Sequence, residues 1–192
     1  MTESTVAAPA ARRGVPLWAQ ITIWVILVGL LVLVAIALKR SQQGTVQPGD
    51  KIPDFSMPLF SGYSLNGSSQ LNLASLRGKV VMINFWASWC KPCEQEAADL
   101  RTAWDFYKGN GSVVFIGVDY VDTEPEARAY LEKFGITYAN GPDLGTKVSQ
   151  LFRIKGVPET YFLDKEGVLK HVQVGPFTSV DDIKAVIDPM LR

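Results

Sequence analysis

Cys90-Lys91-Pro92-Cys93 holds both cysteines of the chain, three positions apart. Two cysteines are too few to staple a small scaffold, and too few for the four ligands of a structural zinc site. A lone C-x-x-C reads as redox chemistry, in which a thiolate attacks a disulfide and its neighbour resolves the mixed disulfide. A free cysteine ionises near pH ~8.5, so the site must favour the anion. The position supplies a means. Val80 to Trp86 is an almost unbroken apolar run, as in a parallel strand buried on both faces. A helix is expected from about Cys90 to Tyr107, ended by Gly109-Asn110-Gly111. Cys90 then stands at a helix N-terminus, where free N–H groups and the dipole stabilise a thiolate. Lys91 adds positive charge, and Pro92 suits a first turn because its missing N–H had no partner there. Cys90 is expected to be the exposed attacking thiol, with Cys93 one turn deeper and shielded.

Other residues fall near the dithiol by spacing. Ala97, Leu100, Trp104 and Tyr107 or Phe106 form an apolar stripe on the expected helix. Glu96 lies at its edge, three residues from Cys93. It is either a solvated helix-face acid like Glu94, or a carboxyl raised by apolar surroundings that exchanges a proton with Cys93. Asn84 interrupts the apolar run and needs hydrogen-bond partners, in the core or near the dithiol. Gly156-Val157-Pro158-Glu159-Thr160 leads into a strand, and X-Pro bonds are where cis peptides occur. A cis Val157-Pro158 bond would offer the Val157 backbone to an extended substrate. Glu159 is a second acid that faces the dithiol or else lies on a plain strand surface. His171, the only histidine, has no ligand partners at useful spacing and reads as an exposed strand residue. No metal or other cofactor is expected.

The elements that must hold these residues alternate. Short strands at Phe55 to Phe60 and Gln70 to Leu73 flank a turn-rich stretch, and Ala74 to Arg77 forms a helical turn. After the Val80 strand and its helix come a strand at Val113 to Val118 and a helix capped by Thr123 and ended by Gly135. A central insert follows, with a short helix at Lys147 to Phe152. A hairpin pairs Thr160 to Leu163 with Val168 to Val174, and a last helix runs from about Ser179 to Met190. Strands alternating with helices give an α/β sheet, and the hairpin makes it mixed.

The first fifty residues differ in kind. No charged residue occurs from Gly14 to Leu38, and about 20 apolar helical residues cross a bilayer core of about 30 Å. The expected organisation is a cytoplasmic tail at 1–16, a transmembrane anchor at 17–38, a flexible linker at 39–52 and a folded domain at 53–192. Arg12-Arg13 precede the span and Lys39-Arg40 follow it, so charge alone leaves the orientation balanced. Lys+Arg and Asp+Glu both count 19, and that zero net charge gives no sign of a nucleic-acid partner.

Phe85-Trp86-Ala87-Ser88-Trp89-Cys90-x-Pro92-Cys93, together with Gly156-Val157-Pro158-Glu159-Thr160, resembles the thioredoxin superfamily. It is most similar to the membrane-tethered branch of ResA, TlpA and DsbE (CcmG) proteins, over roughly residues 50–192. The resemblance implies a thioredoxin fold with a mixed central sheet flanked by helices, an N-terminal β extension and a central insert around Ala139 to Lys155. It implies a cis Pro158 facing the cysteine pair, and Trp89, Val157 and Pro158 as substrate contacts. Cytoplasmic thioredoxin carries a buried Asp where this chain has Asn84, which shifts proton handling onto Glu96 or Glu159. It further implies work outside the cytoplasm on apocytochrome c CxxCH disulfides, re-reduction by a CcdA/DsbD-like membrane thiol donor, and an N-terminus inside. Three other readings remain: a general extracytoplasmic interchange protein or oxidant, a peroxidase of the peroxiredoxin branch, and a tethered binding module without redox turnover. The peroxidase usually wants a Thr three residues before its reactive Cys, where Ala87 stands here.

Overall fold

The computed structural model describes residues 16–41 and 46–192, in two compact units divided between Gln43 and Gly44. The first contains α1 (Leu17–Ser41). Its stretch Leu17–Ile36 is long and apolar enough to cross a membrane, and its side chains are not buried within the protein. Apolar residues surround α1 instead of forming one stripe, as bilayer exposure on all sides requires. Residues 1–15, with the Arg12-Arg13 pair, and residues 42–45 of the expected linker lie outside the described residues.

The second unit opens with β1 (Ser56–Pro58) and β2 (Gln70–Asn72), a two-stranded antiparallel ribbon, followed by a 3-10 turn at Leu73–Leu76. Then come β3 (Val80–Trp86), α2 (Lys91–Tyr107), β4 (Val113–Asp119), α3 (Glu124–Phe134), β5 (Ala139–Pro142), α4 (Lys147–Phe152), β6 (Glu159–Leu163), β7 (Leu169–Val174) and α5 (Val180–Leu191). The main sheet has the order β5-β4-β3-β6-β7. β3 pairs in parallel with β4, and β4 with β5, while β6 is antiparallel to both β3 and β7.

β3 is buried at every residue because it is central and covered on both faces. Val80, Met82 and Trp86 point into one core with Ala97 and Leu100 of α2, Tyr130 of α3 and Ile183 of α5. Val81, Ile83 and Phe85 point into the other, with Leu71, Leu73 and Phe152. This two-sided alternation decides which polar residues can meet α2.

Four expectations need correction. The polar stretch before residue 53 is not tether throughout. Gly49 N–H donates to Leu169 O at 2.8 Å, Leu169 N–H to Asp50 O at 2.9 Å and Ile52 N–H to Gly167 O at 3.2 Å. Main-chain pairing needs no apolar side chains, so composition concealed it. The insert contributes a sheet strand, β5, whose Ala-Asn-Gly-Pro sequence has little β propensity. It is fixed by neighbours: Phe60 N–H donates to Asn140 O at 2.9 Å, and a Cβ at Gly141 would overlap the Pro58 backbone. His171 is half-buried, its ring 5.9 Å from that of Phe162. Thr123 holds the N-cap position of α3, but its hydroxyl donates to Glu126 instead of accepting a helix amide.

Candidate active site

Cys90 is the N-cap residue of α2, in extended conformation, with its Sγ accepting the Cys93 N–H at 3.1 Å. The sulfur thus takes the place that a Ser or Asp oxygen fills at other helix starts. Pro92 occupies the first turn, where no donor is lost. Cys90 and Cys93 are joined as a disulfide. The expectation of an exposed Cys90 does not hold in this form, for it is 3% exposed against 1% for Cys93. Trp89 is the exposed residue of the turn, its indole donating to Val121 O at 3.3 Å. Spacing identified the helix cap but not the loop that closes over it from residue 157. The Val157 carbonyl oxygen lies 3.5 Å from Cys90 Sγ, a contact, since a disulfide sulfur carries no proton. Lys91 extends into solvent and pairs with Glu94 at 3.3 Å, which Lys133 also reaches at 3.4 Å. An exposed, paired lysine has a weak field at Cys90, which leaves the helix amides as the principal stabilisers of an anion there.

The Val157-Pro158 bond is cis, as expected. Pro158 O accepts the Gly175 N–H at 3.0 Å, tying this loop to the end of β7. Pro92, Val157, Pro158, Val174, Gly175 and Pro176 line an open, mostly apolar groove of about 300 Å³ on the helix-cap side.

Glu159 does not face the dithiol. It pairs with Phe85 in the sheet and shares its face with Tyr161, on the side away from α2. Its carboxylate accepts the Lys155 N–H at 2.7 Å, the Gly156 N–H at 3.2 Å and the Tyr161 hydroxyl at 2.6 Å. It braces the loop that carries Pro158.

Glu96 is the acid on the dithiol's face. Only 1% of it is exposed, one turn after Cys93. It accepts from Asn84 Nδ2 at 2.8 Å and from the Phe177 N–H at 2.9 Å, and Asn84 donates also to Thr160 Oγ1 at 2.9 Å. Asn84 and Thr160 are register partners on β3 and β6, so the sheet itself presents the donor to Glu96. Burial pushes the Glu96 carboxyl up to about 7, against the two hydrogen bonds that pull it down. Sequence spacing missed Thr160, the Phe177 amide and Tyr130. The Tyr130 hydroxyl donates to Cys93 O at 2.9 Å, and its ring stacks on Trp86 with centroids 4.5 Å apart.

Residues 48–172 match the model of the AhpC/TSA family. The chain belongs to the AhpC/TSA family. Within this thioredoxin-fold family it is 29% identical over 157 residues to the thiol-disulfide oxidoreductase ResA of Oceanobacillus iheyensis, covering 82% of this chain and 80% of that one. It is 38% identical over 126 residues to the thiol:disulfide interchange protein DsbE of Allochromatium vinosum, covering 65% of each. A crystal structure of a thioredoxin-family thiol:disulfide interchange protein from Chlorobium tepidum TLS superposes with a TM-score of 0.66 at 25% identity, covering 78% of this chain and all of that one. This AhpC/TSA member is a thiol-disulfide oxidoreductase of the ResA/DsbE type, with Cys90 and Cys93 as its close cysteine pair.

Proposed function

We propose that this protein reduces disulfides of secreted proteins on the outer side of the membrane, with the CxxCH disulfide of apocytochrome c as its substrate. The observation that carries the reading is Cys90 at the α2 cap, against the Val157 carbonyl and beside an apolar groove. A peptide lying extended in that groove brings its own disulfide to Cys90 while its backbone pairs with Val157, and Trp89 and Pro158 pack against it.

In the reduced protein the Cys90 thiolate attacks one sulfur of the substrate disulfide. That S–S bond breaks, and the departing substrate thiolate takes a proton from water. Cys93 gives its proton to Glu96 and attacks Cys90 Sγ. The mixed disulfide breaks, the second substrate sulfur leaves as a thiolate that takes the proton back from Glu96, and two electrons have passed from the dithiol to the substrate. Glu159 acts as a brace for the Pro158 loop, not as a proton donor. A membrane thiol donor of the CcdA/DsbD kind returns the electrons, which an oxidising compartment makes necessary. The anchor at 17–38 then runs with its N-terminus in the cytoplasm, and the folded unit outside.

Cys93→Ser in the native membrane tests this proposal, because the variant cannot resolve its mixed disulfide. Capture of a CxxCH-containing chain supports it. Capture of many unrelated secreted proteins indicates a general interchange protein, and a dithiol potential near about −120 mV instead of about −270 mV indicates an oxidant.

A further inference from the structure

A second pair of acids lies under the turn that leads to Cys90. Asp119 ends β4 in register with Trp86, and only 1% of it is exposed. Among the described residues, neither of its carboxyl oxygens meets a donor. The charged group that faces it is the Asp122 carboxyl. On the β5 side, Asp143 directs its carboxylate to the Val148 and Ser149 amides, at 3.1 and 2.7 Å. Asp122 accepts the Ser88 N–H at 2.6 Å through Oδ2 and the Thr123 N–H at 2.8 Å through Oδ1. Around it, Tyr120 N–H donates to Trp86 O at 2.8 Å, and the Trp89 indole donates to Val121 O. Residues 120–122 therefore grip residues 86–89 from one side.

With Asp119 buried and Asp122 half-buried beside it, ionising both carboxyls is costly, and a proton kept on the buried one removes the repulsion. We infer that Asp119 keeps its proton and donates it to Asp122, so that the charged Asp122 positions the Ser88-Trp89-Cys90 turn through the Ser88 amide. Asp119 and Asp122 are thus positioning residues for the dithiol. Burial first, and Asp122 second, push Asp119 up to about 8. Above that pH the proton leaves, two charges face each other and the hold on Ser88 loosens. The inference rests on the dithiol chemistry alone, whatever disulfide the protein acts on.

Alkylation of Cys90 by iodoacetamide, followed against pH on the full-length Cys93→Ser protein in detergent, tests it without a substrate. The rate of the parent should show a second inflection near pH 8, above that of the thiol. Asp119→Asn keeps a donor toward Asp122 at every pH and should lose that inflection. Asp122→Asn removes the facing charge, and with it the inflection. Carbon-13 NMR of the aspartate carboxyls gives a readout that does not depend on either variant folding. One carboxyl of the unsubstituted protein should titrate near 8. An Asp119→Asn profile that keeps the inflection, or no aspartate titrating above pH 6, overturns the inference.

Discussion

The Asn84 side-chain amide donates to Glu96 Oε1 at 2.8 Å inside the core, one helical turn from Cys93. A neutral amide stands there instead of a second acid, so the carboxyl of Glu96 is the group that the proposed mechanism uses to take a proton from Cys93. Its burial raises its affinity for a proton into the range where a thiol can exchange with it.

Glu96→Gln should therefore slow the second step of the reaction, the attack of Cys93, by about 100-fold or more, the usual worth of a general base. Rapid-quench measurement of the mixed disulfide's lifetime reads this directly. Attack by Cys90 should change far less.

The same carboxyl makes stability depend on pH. Its folded value, about 7, lies above its ordinary 4.5, so the folded state holds a proton that the unfolded chain has released. Stability should fall as pH rises from about 4.5 through about 7, by at most on the order of 3 kcal/mol. Urea midpoints at pH 5 and pH 8 measure the slope, and Glu96→Gln should reduce it, leaving the part contributed by Asp119, which burial also raises, to about 8.

Glu159→Ala should act through structure. It leaves the Lys155 and Gly156 amides and the Tyr161 hydroxyl without their acceptor, at a cost of about 2 kcal/mol or more. Denaturant unfolding checks the loss. Substrate KM should rise through the loosened Pro158 loop, while the pH profile of Cys93 attack keeps its shape.

Gly117→Ala should destabilise the sheet by about 1–3 kcal/mol, the usual cost of overpacking. A Cβ there would overlap the Asn140 side chain and the Trp86 indole, whose Nε1 donates to Asn140 Oδ1 at 2.9 Å. Calorimetry would show a lower unfolding temperature with the dithiol chemistry retained.

What could be read from the sequence was local. Pro92 in a first turn, an apolar run before it and the spacing of Glu96 from Cys93 are properties of neighbouring residues, and they placed the dithiol at a helix start. What could not be read was set by distant pairing. Spacing leaves Glu159 between the dithiol and a plain strand surface, and its register opposite Phe85 instead buries it on the face away from α2. That Val157, 67 residues later in the chain, lies against Cys90 was legible only through the family resemblance, and the burial of Cys90 beneath it was not legible at all. Residues 49–52 are ordered by backbone bonds to the start of β7 and the turn before it, which side-chain composition does not encode. Asp119 and Asp122 are only three residues apart, but that spacing shows neither the burial of Asp119 nor the reach of Asp122 to the Ser88 amide, 34 residues earlier.

The most direct test of the whole account is the ionisation of Cys90 in the reduced, full-length protein, followed by thiolate absorbance at ~240 nm against pH, with Cys93→Ser to isolate one sulfur. Helix-cap stabilisation predicts an apparent pKa below about 7.5. A value near about 8.5, that of an unassisted cysteine, would contradict it.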